Sequence, residues 1–160
     1  MDDTFDTIGR FGYVSDYDPA KHFARVEFPD LGIVSGWLPV LVPNSHDNHD
    51  EFHMDIGEHV YCLLHDNTGI VLGAVYDGKN KPPVADFNIR AITFKDGTTI
   101  TYDRQNHLTD IRDCNGNSIH MDDKGITITS CKNISIKASS NYESSAGGHM
   151  GFTASKIDLN

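Results

Sequence analysis

Nine histidines are spread through 160 residues, and three of them crowd one short segment. His46, His49 and His53 stand there beside Asp47, Asp50 and Glu51. Imidazole and carboxylate are donors that zinc and related ions take. The spacing His-x-x-His-x-x-x-His could converge on one helical turn, so a metal site is one reading. The other is a polar loop between strands. The segment lacks the apolar support that fixes ligand geometry, and on that ground the sequence favours the loop. Asp16, Asp18 and Asp30 suggest calcium by type alone. No EF-hand spacing follows, and solvated turns account for them better. Cys62, Cys114 and Cys131 are too few for a disulfide framework and fit no metal knuckle. Cys62 falls in an apolar stretch and reads as a small buried hydrophobe. No Gly-x-Ser-x-Gly elbow, P-loop or dinucleotide-binding glycine pattern occurs. The expectation is a protein that is not an enzyme, with no catalytic residues and no cofactor.

Charge narrows the partners. Asp and Glu number 23 against 13 Lys and Arg, a formal net charge of −10. Phosphate backbones and anionic membrane surfaces favour the opposite balance. Residues 1–80 hold only Arg10, Lys21, Arg25 and Lys79 as bases. A groove for single-stranded nucleic acid needs more, so none is expected as a partner. No apolar run reaches membrane-spanning length. The N-terminal Met1-Asp2-Asp3-Thr4-Phe5 shows no signal-peptide pattern, so synthesis in the cytoplasm with reduced thiols is expected.

These residues need elements to hold them. Residues 1–80 read as short strands with turn punctuation. Apolar residues at Ile8, Phe11, Tyr13 and Val14 open the first strand, and Phe23–Phe28 form the second. Val34 to Val42 supply another apolar stretch, and 43–55 is a polar loop. Val60–Leu64 and Ile70–Tyr76 flank the turn-prone Asp66, Asn67, Thr68 and Gly69. No amphipathic helix appears. About five strands in this length suggest a small barrel of the OB type. Lys79-Asn80-Lys81-Pro82-Pro83 then stiffens a connector. The expected domains are 1–84 and 85–160.

Beyond the connector, turn signals recur at Asp96-Gly97, Asn106-His107, Asn115-Gly116 and Lys124-Gly125, and again to the end. Between them apolar residues alternate: Ile92 and Phe94, Ile100 and Tyr102, Ile119 and Met121, Ile126 and Ile128, Ile134 and Ile136. Met150 with Phe152 and Ile157 with Leu159 extend the series. Period two puts each pair on one face. Such a row of strands has no second layer to bury that face. Either a two-layer sandwich or three chains wrapped around one axis would supply it, and periodicity alone does not choose.

Several phrases resemble the baseplate assembly protein V family, the central spike of contractile phage tails, and the spike part of VgrG-type proteins. In the first half they are Phe23-Ala24-Arg25-Val26-Glu27-Phe28-Pro29, Gly36-Trp37-Leu38-Pro39-Val40, Gly57-Glu58-His59-Val60 and Gly69 through Pro83. In the second they are Phe94-Lys95-Asp96-Gly97-Thr98 and Ile100-Thr101-Tyr102-Asp103. The similarity covers roughly residues 8–137, and the order of the phrases carries it.

The resemblance implies an all-β protein, an N-terminal OB-fold followed by an intertwined triple-stranded β-helix in a homotrimer. It implies a structural virion protein of the tail baseplate, a membrane-piercing needle driven into the host outer membrane. A tailocin or secretion-system spike is the alternative within that class, and an OB-fold ligand-binding module the alternative outside it. The spike core would then be Ile92, Phe94, Ile100, Tyr102, Ile119, Ile126, Ile128, Ile134 and Ile136. Phe11, Tyr13, Tyr17, Phe23, Phe28 and Trp37 would serve as barrel core and trimer contacts. Many such spikes carry a tip His-x-His that binds iron, and this sequence has none. His149, in Gly147-Gly148-His149-Met150-Gly151, would meet its two copies on a three-fold axis, where three imidazoles could hold a metal; a solvent-facing turn is the plainer reading. The alternation continues through Ser155–Asn160, and a blunt β-helix end exposes backbone and apolar groups. A separate PAAR-type tip protein is therefore expected as a partner, beside the baseplate hub.

Overall fold

A computed structural model describes residues 7–66 and 68–158. Among them all regular structure is β, with no helix, in two antiparallel sheets. The chain forms two compact units, Met1–Pro83 and Val84–Asn160.

The first unit contains β1 (Thr7–Asp18), β2 (Phe23–Phe28), β3 (Ile33–Val34), β4 (Leu38–Pro39), β5 (His59–His65) and β6 (Thr68–Ala74). Its sheet runs β3-β2-β1-β5-β6, with β4 also paired to β2. The long β1 serves two neighbours. Its first half, from Thr7 to Tyr13, pairs with β5, and its second half, from Tyr13 to Asp18, pairs with β2. A register shift between Val14 and Asp16 marks the bend, as an extra residue in one strand turns it. A parallel bridge joins Val40 to Val71, and the Leu41 N–H donates to the Val71 carbonyl at 2.9 Å. The chain just after β4 therefore lies beside β6, and the path of paired strands returns on itself.

Alternation fills the interior of this unit. Ala24, Val26 and Phe28 point inward from β2, Val60 and Cys62 from β5, and Val71 from β6. Val14, Leu38, Val40 and Met54 complete the cluster. Met54 corrects one expectation. The His-rich segment does have apolar support, because Met54 is buried in the core and anchors the end of that loop. Of the six aromatics expected as barrel core or contacts, Phe28 is buried. Phe11, Tyr13 and Trp37 are exposed on the single chain. The turn residue Asn67 lies outside the described residues.

The second unit is a meander of β7 (Ile89–Thr93), β8 (Thr99–Asp103), β9 (Leu108–Arg112), β10 (Ser118–Asp122) and β11 (Gly125–Thr129), paired in sequence order. Each hairpin turn is built by an aspartate whose Oδ1 accepts backbone N–H groups two to four residues on. Asp96 accepts from Thr98, and Asp103 from Gln105 and Asn106. Asp113 accepts from Asn115 and Asn117, and Asp122 from Lys124 and Gly125. Turn geometry of this kind is what short Asp side chains supply. The strands expected at Ile134–Ile136, Met150–Phe152 and Ile157 do not form, and Leu159 lies outside the described residues. Alternation decides which side chains share a face. It does not supply a pairing partner, and among the described residues no strand pairs with 130–158.

Candidate functional site

Register places five isoleucines directly opposite one another. Ile92 faces Ile100, Ile100 faces Ile111, Ile111 faces Ile119 and Ile119 faces Ile128. The ladder crosses all five strands of the meander on one face. A second row on that face runs Arg90, Tyr102, Thr109, Met121 and Ile126. Phe94 extends the face by alternation along the end of β7. The nine residues expected as spike core are all exposed in the single chain, from 38% for Ile100 and Ile119 to 69% for Ile126. The seven of them between Ile92 and Ile128 share this face. Ile134 and Ile136 lie beyond β11, outside any strand. Large exposed apolar patches mark interaction surfaces. Sequence reading missed Ile111. Its neighbour two positions back is Thr109 rather than another apolar residue, and only register reveals it.

The opposite face is polar. Ala91, Thr101, Asp110, His120 and Thr127 cross it in line. Asp110 is the buried polar residue of the described chain, 6% exposed. Arg112 Nε donates to its Oδ2, and His120 Nδ1 lies 3.0 Å from its Oδ1. The hydrogen bond from Arg112 is the main cause that holds the Asp110 carboxyl below its ordinary range, against an opposing push from burial. His120 also sits 3.6 Å from Asp122. These groups are mutually satisfied, which fits a polar surface rather than a reactive centre.

On the first unit, the outward residues of β1 and β5 form an aromatic platform. Tyr13 stacks on His59 at 4.9 Å between ring centroids, and Phe11 lies 4.7 Å from Tyr61. Phe11, Tyr13 and His59 line a shallow hollow of 470 Å³ with Arg10, Pro29 and Asp30.

No known protein family and no curated protein matches this chain.

The structure disperses His46 and His53, whose spacing with His49 could have converged on a helical turn. His46 is exposed beside Asp47, 3.8 Å away. His53 instead approaches His22 from the β1–β2 turn, together with Glu51. His149 is exposed in its glycine-rich segment. The acids suggested for calcium do not converge: Asp30 pairs with Arg10, Asp18 caps the turn at Ala20 and Lys21, and Asp16 accepts from the Tyr17 N–H. Cys62 is buried, and burial pushes its thiol up to about 11. Cys114 and Cys131 are exposed.

Proposed function

We propose that this chain is the trimeric central spike of a contractile phage tail or a related particle. One observation carries the reading: the ladder from Ile92 to Ile128 is complete across its sheet, and a single chain leaves it in water. Three copies around one axis would bury their ladders against one another and present the Asp110 face outward. Fully burying an isoleucine is worth about 1.5–3 kcal/mol relative to leaving it exposed. Such a gain, repeated along the ladder in three chains, favours association. The unpaired residues 130–158, alternating in sequence, would find strand partners in the neighbouring copies. That arrangement is the triple-stranded β-helix.

The first unit supports the same reading. The strand path β1-β2-β4-β6-β5, with the parallel Val40–Val71 bridge joining the chain just after β4 to β6, supports reading this unit as an OB barrel. In this account the barrels join the spike to the baseplate hub. The β-helix takes the axial load into the host outer membrane, and a separate tip protein covers its end. The role is mechanical, with no catalytic step.

Native mass by light scattering tests the proposal. A mass of about 53 kDa, three times the chain's 17.7 kDa, that survives SDS without heating is expected of an interlocked trimer. A monomer would overturn the spike. The Phe11–Tyr13–His59 platform would then favour the second reading, a small ligand-binding barrel.

A further inference from the structure

We propose that His22, Glu51 and His53 form a transition-metal site within one protomer, with zinc as the ion its donors fit. One donor atom from each side chain lies within 4.8 Å of the others. Two imidazoles and one carboxylate are a complete set of protein ligands for a zinc ion that keeps water in its fourth position. The same nitrogen-rich set disfavours calcium and magnesium, which take oxygen.

Two features show that the cluster is built rather than accidental. The first is Tyr17. Its hydroxyl lies 2.8 Å from Nδ1 of His22 and 3.1 Å from Nδ1 of His53. The hydroxyl oxygen has two lone pairs, so it can accept an N–H from both rings at once. In that arrangement each imidazole carries its proton on Nδ1 and keeps a free lone pair on Nε2. An oxygen partner that sets a histidine tautomer is the usual companion of a metal-ligating imidazole. The second is His22 itself. Its Nε2 is buried and has no hydrogen-bond partner, a condition that costs stability unless something binds there.

Packing holds the donors in place. The rings of Tyr17 and His22 are 5.8 Å apart, Tyr17 and His53 5.7 Å, and Phe52 packs edge-on against His22 at 6.0 Å. His22 is set by its left-handed backbone, φ 57°, at the end of the β1–β2 turn. Glu51 and His53 are exposed, which leaves the ion a route in, and buried Met54 fixes the chain just beyond them. An ion here would tie the β1–β2 turn to the loop that leads into β5. It would act as a staple within the first unit.

The test uses the full chain, stripped with EDTA and titrated with zinc chloride by calorimetry. Metal content is counted per chain by mass spectrometry, so the result does not depend on the oligomeric state. One zinc per chain is expected, with a rise in melting temperature. Cobalt in its place should give the visible bands of a four-coordinate ion. His53→Gln and Glu51→Gln change exposed side chains and should fold normally by circular dichroism. His53→Gln should weaken binding by more than about 100-fold and Tyr17→Phe, which removes the positioning hydroxyl, by about tenfold. His46→Gln and His149→Gln should leave binding unchanged. Failure to retain zinc at micromolar concentration would overturn the site. So would binding that survives His53→Gln but is lost with His46→Gln or His149→Gln.

Discussion

Gly12 on β1 comes close to β2. A Cβ placed there would sit 2.5 Å from Val26 Cγ1 and 2.6 Å from the Glu27 carbonyl oxygen. The oxygen is backbone and cannot withdraw without breaking the β1–β2 ladder. Gly12→Ala is therefore expected to cost about 1–3 kcal/mol of stability, seen as a lower denaturant midpoint at unchanged slope. Gly9 is a useful contrast, since the nearest atoms to a Cβ there belong to the Tyr61 side chain, which can rotate, and not to backbone. Gly9→Ala should cost less, and equal losses would count against this account. Cys62 offers a second probe of the same unit. Its thiol is fully buried and its ionisation is suppressed by burial, while Cys131 is exposed. Iodoacetamide should modify Cys131 in the native protein and Cys62 only when the first unit opens. Modification of both at the same rate would mean that the core is not closed around Cys62.

The hairpins of the meander show why an acidic chain folds this way. Asp96, Asp103, Asp113 and Asp122 each accept backbone or side-chain N–H groups at a turn, and those hydrogen bonds hold their carboxyls below the ordinary value. A carboxyl whose folded pKa is depressed contributes stability that is present above its unfolded value, about 3.9. That contribution is lost as pH falls through the lower, folded value. The second unit should therefore weaken as pH drops below about 4, and Asp113→Ala should lower its urea midpoint at pH 7 while reducing the acid sensitivity. A midpoint that stays flat from pH 7 to pH 3 would show that the turns do not depend on these charges. Much of this element structure was legible in the sequence. The Gly-marked turns and the Phe23–Phe28 run fell where alternation and turn chemistry put them, because both are local signals. The isoleucine ladder was legible only in part, since Ile111 depends on register across strands. The meeting of His22 with Glu51 and His53 was not legible at all. It arises from the folding-back of the chain after β4, which places a loop beside a turn far from it in sequence, and the loop's anchor is a lone Met54 with no periodic partner.

At the scale of the whole molecule, the two faces of the meander make the proposed assembly separable from simple stickiness. Ile128 and Thr127 are adjacent on β11 and point to opposite faces, Ile128 across from Ile119 and Thr127 across from His120. Both are exposed in the single chain, so neither substitution has a packed monomer core to damage. Ile128→Asp would place three carboxylates in the shared interior of the trimer, each without a partner. Removing an ion from water without compensation costs several kcal/mol, and three such ions exceed what the lost contacts alone would cost. The variant should run as a monomer by light scattering and lose its resistance to SDS. Thr127→Asp adds the same charge to the outward face, where water solvates it, and should remain a detergent-resistant trimer. Loss of the trimer in both variants would point to charge rather than to the ladder. Retention in both would mean that the isoleucine face is not the seam between chains, and the spike would have to be assembled through some other surface.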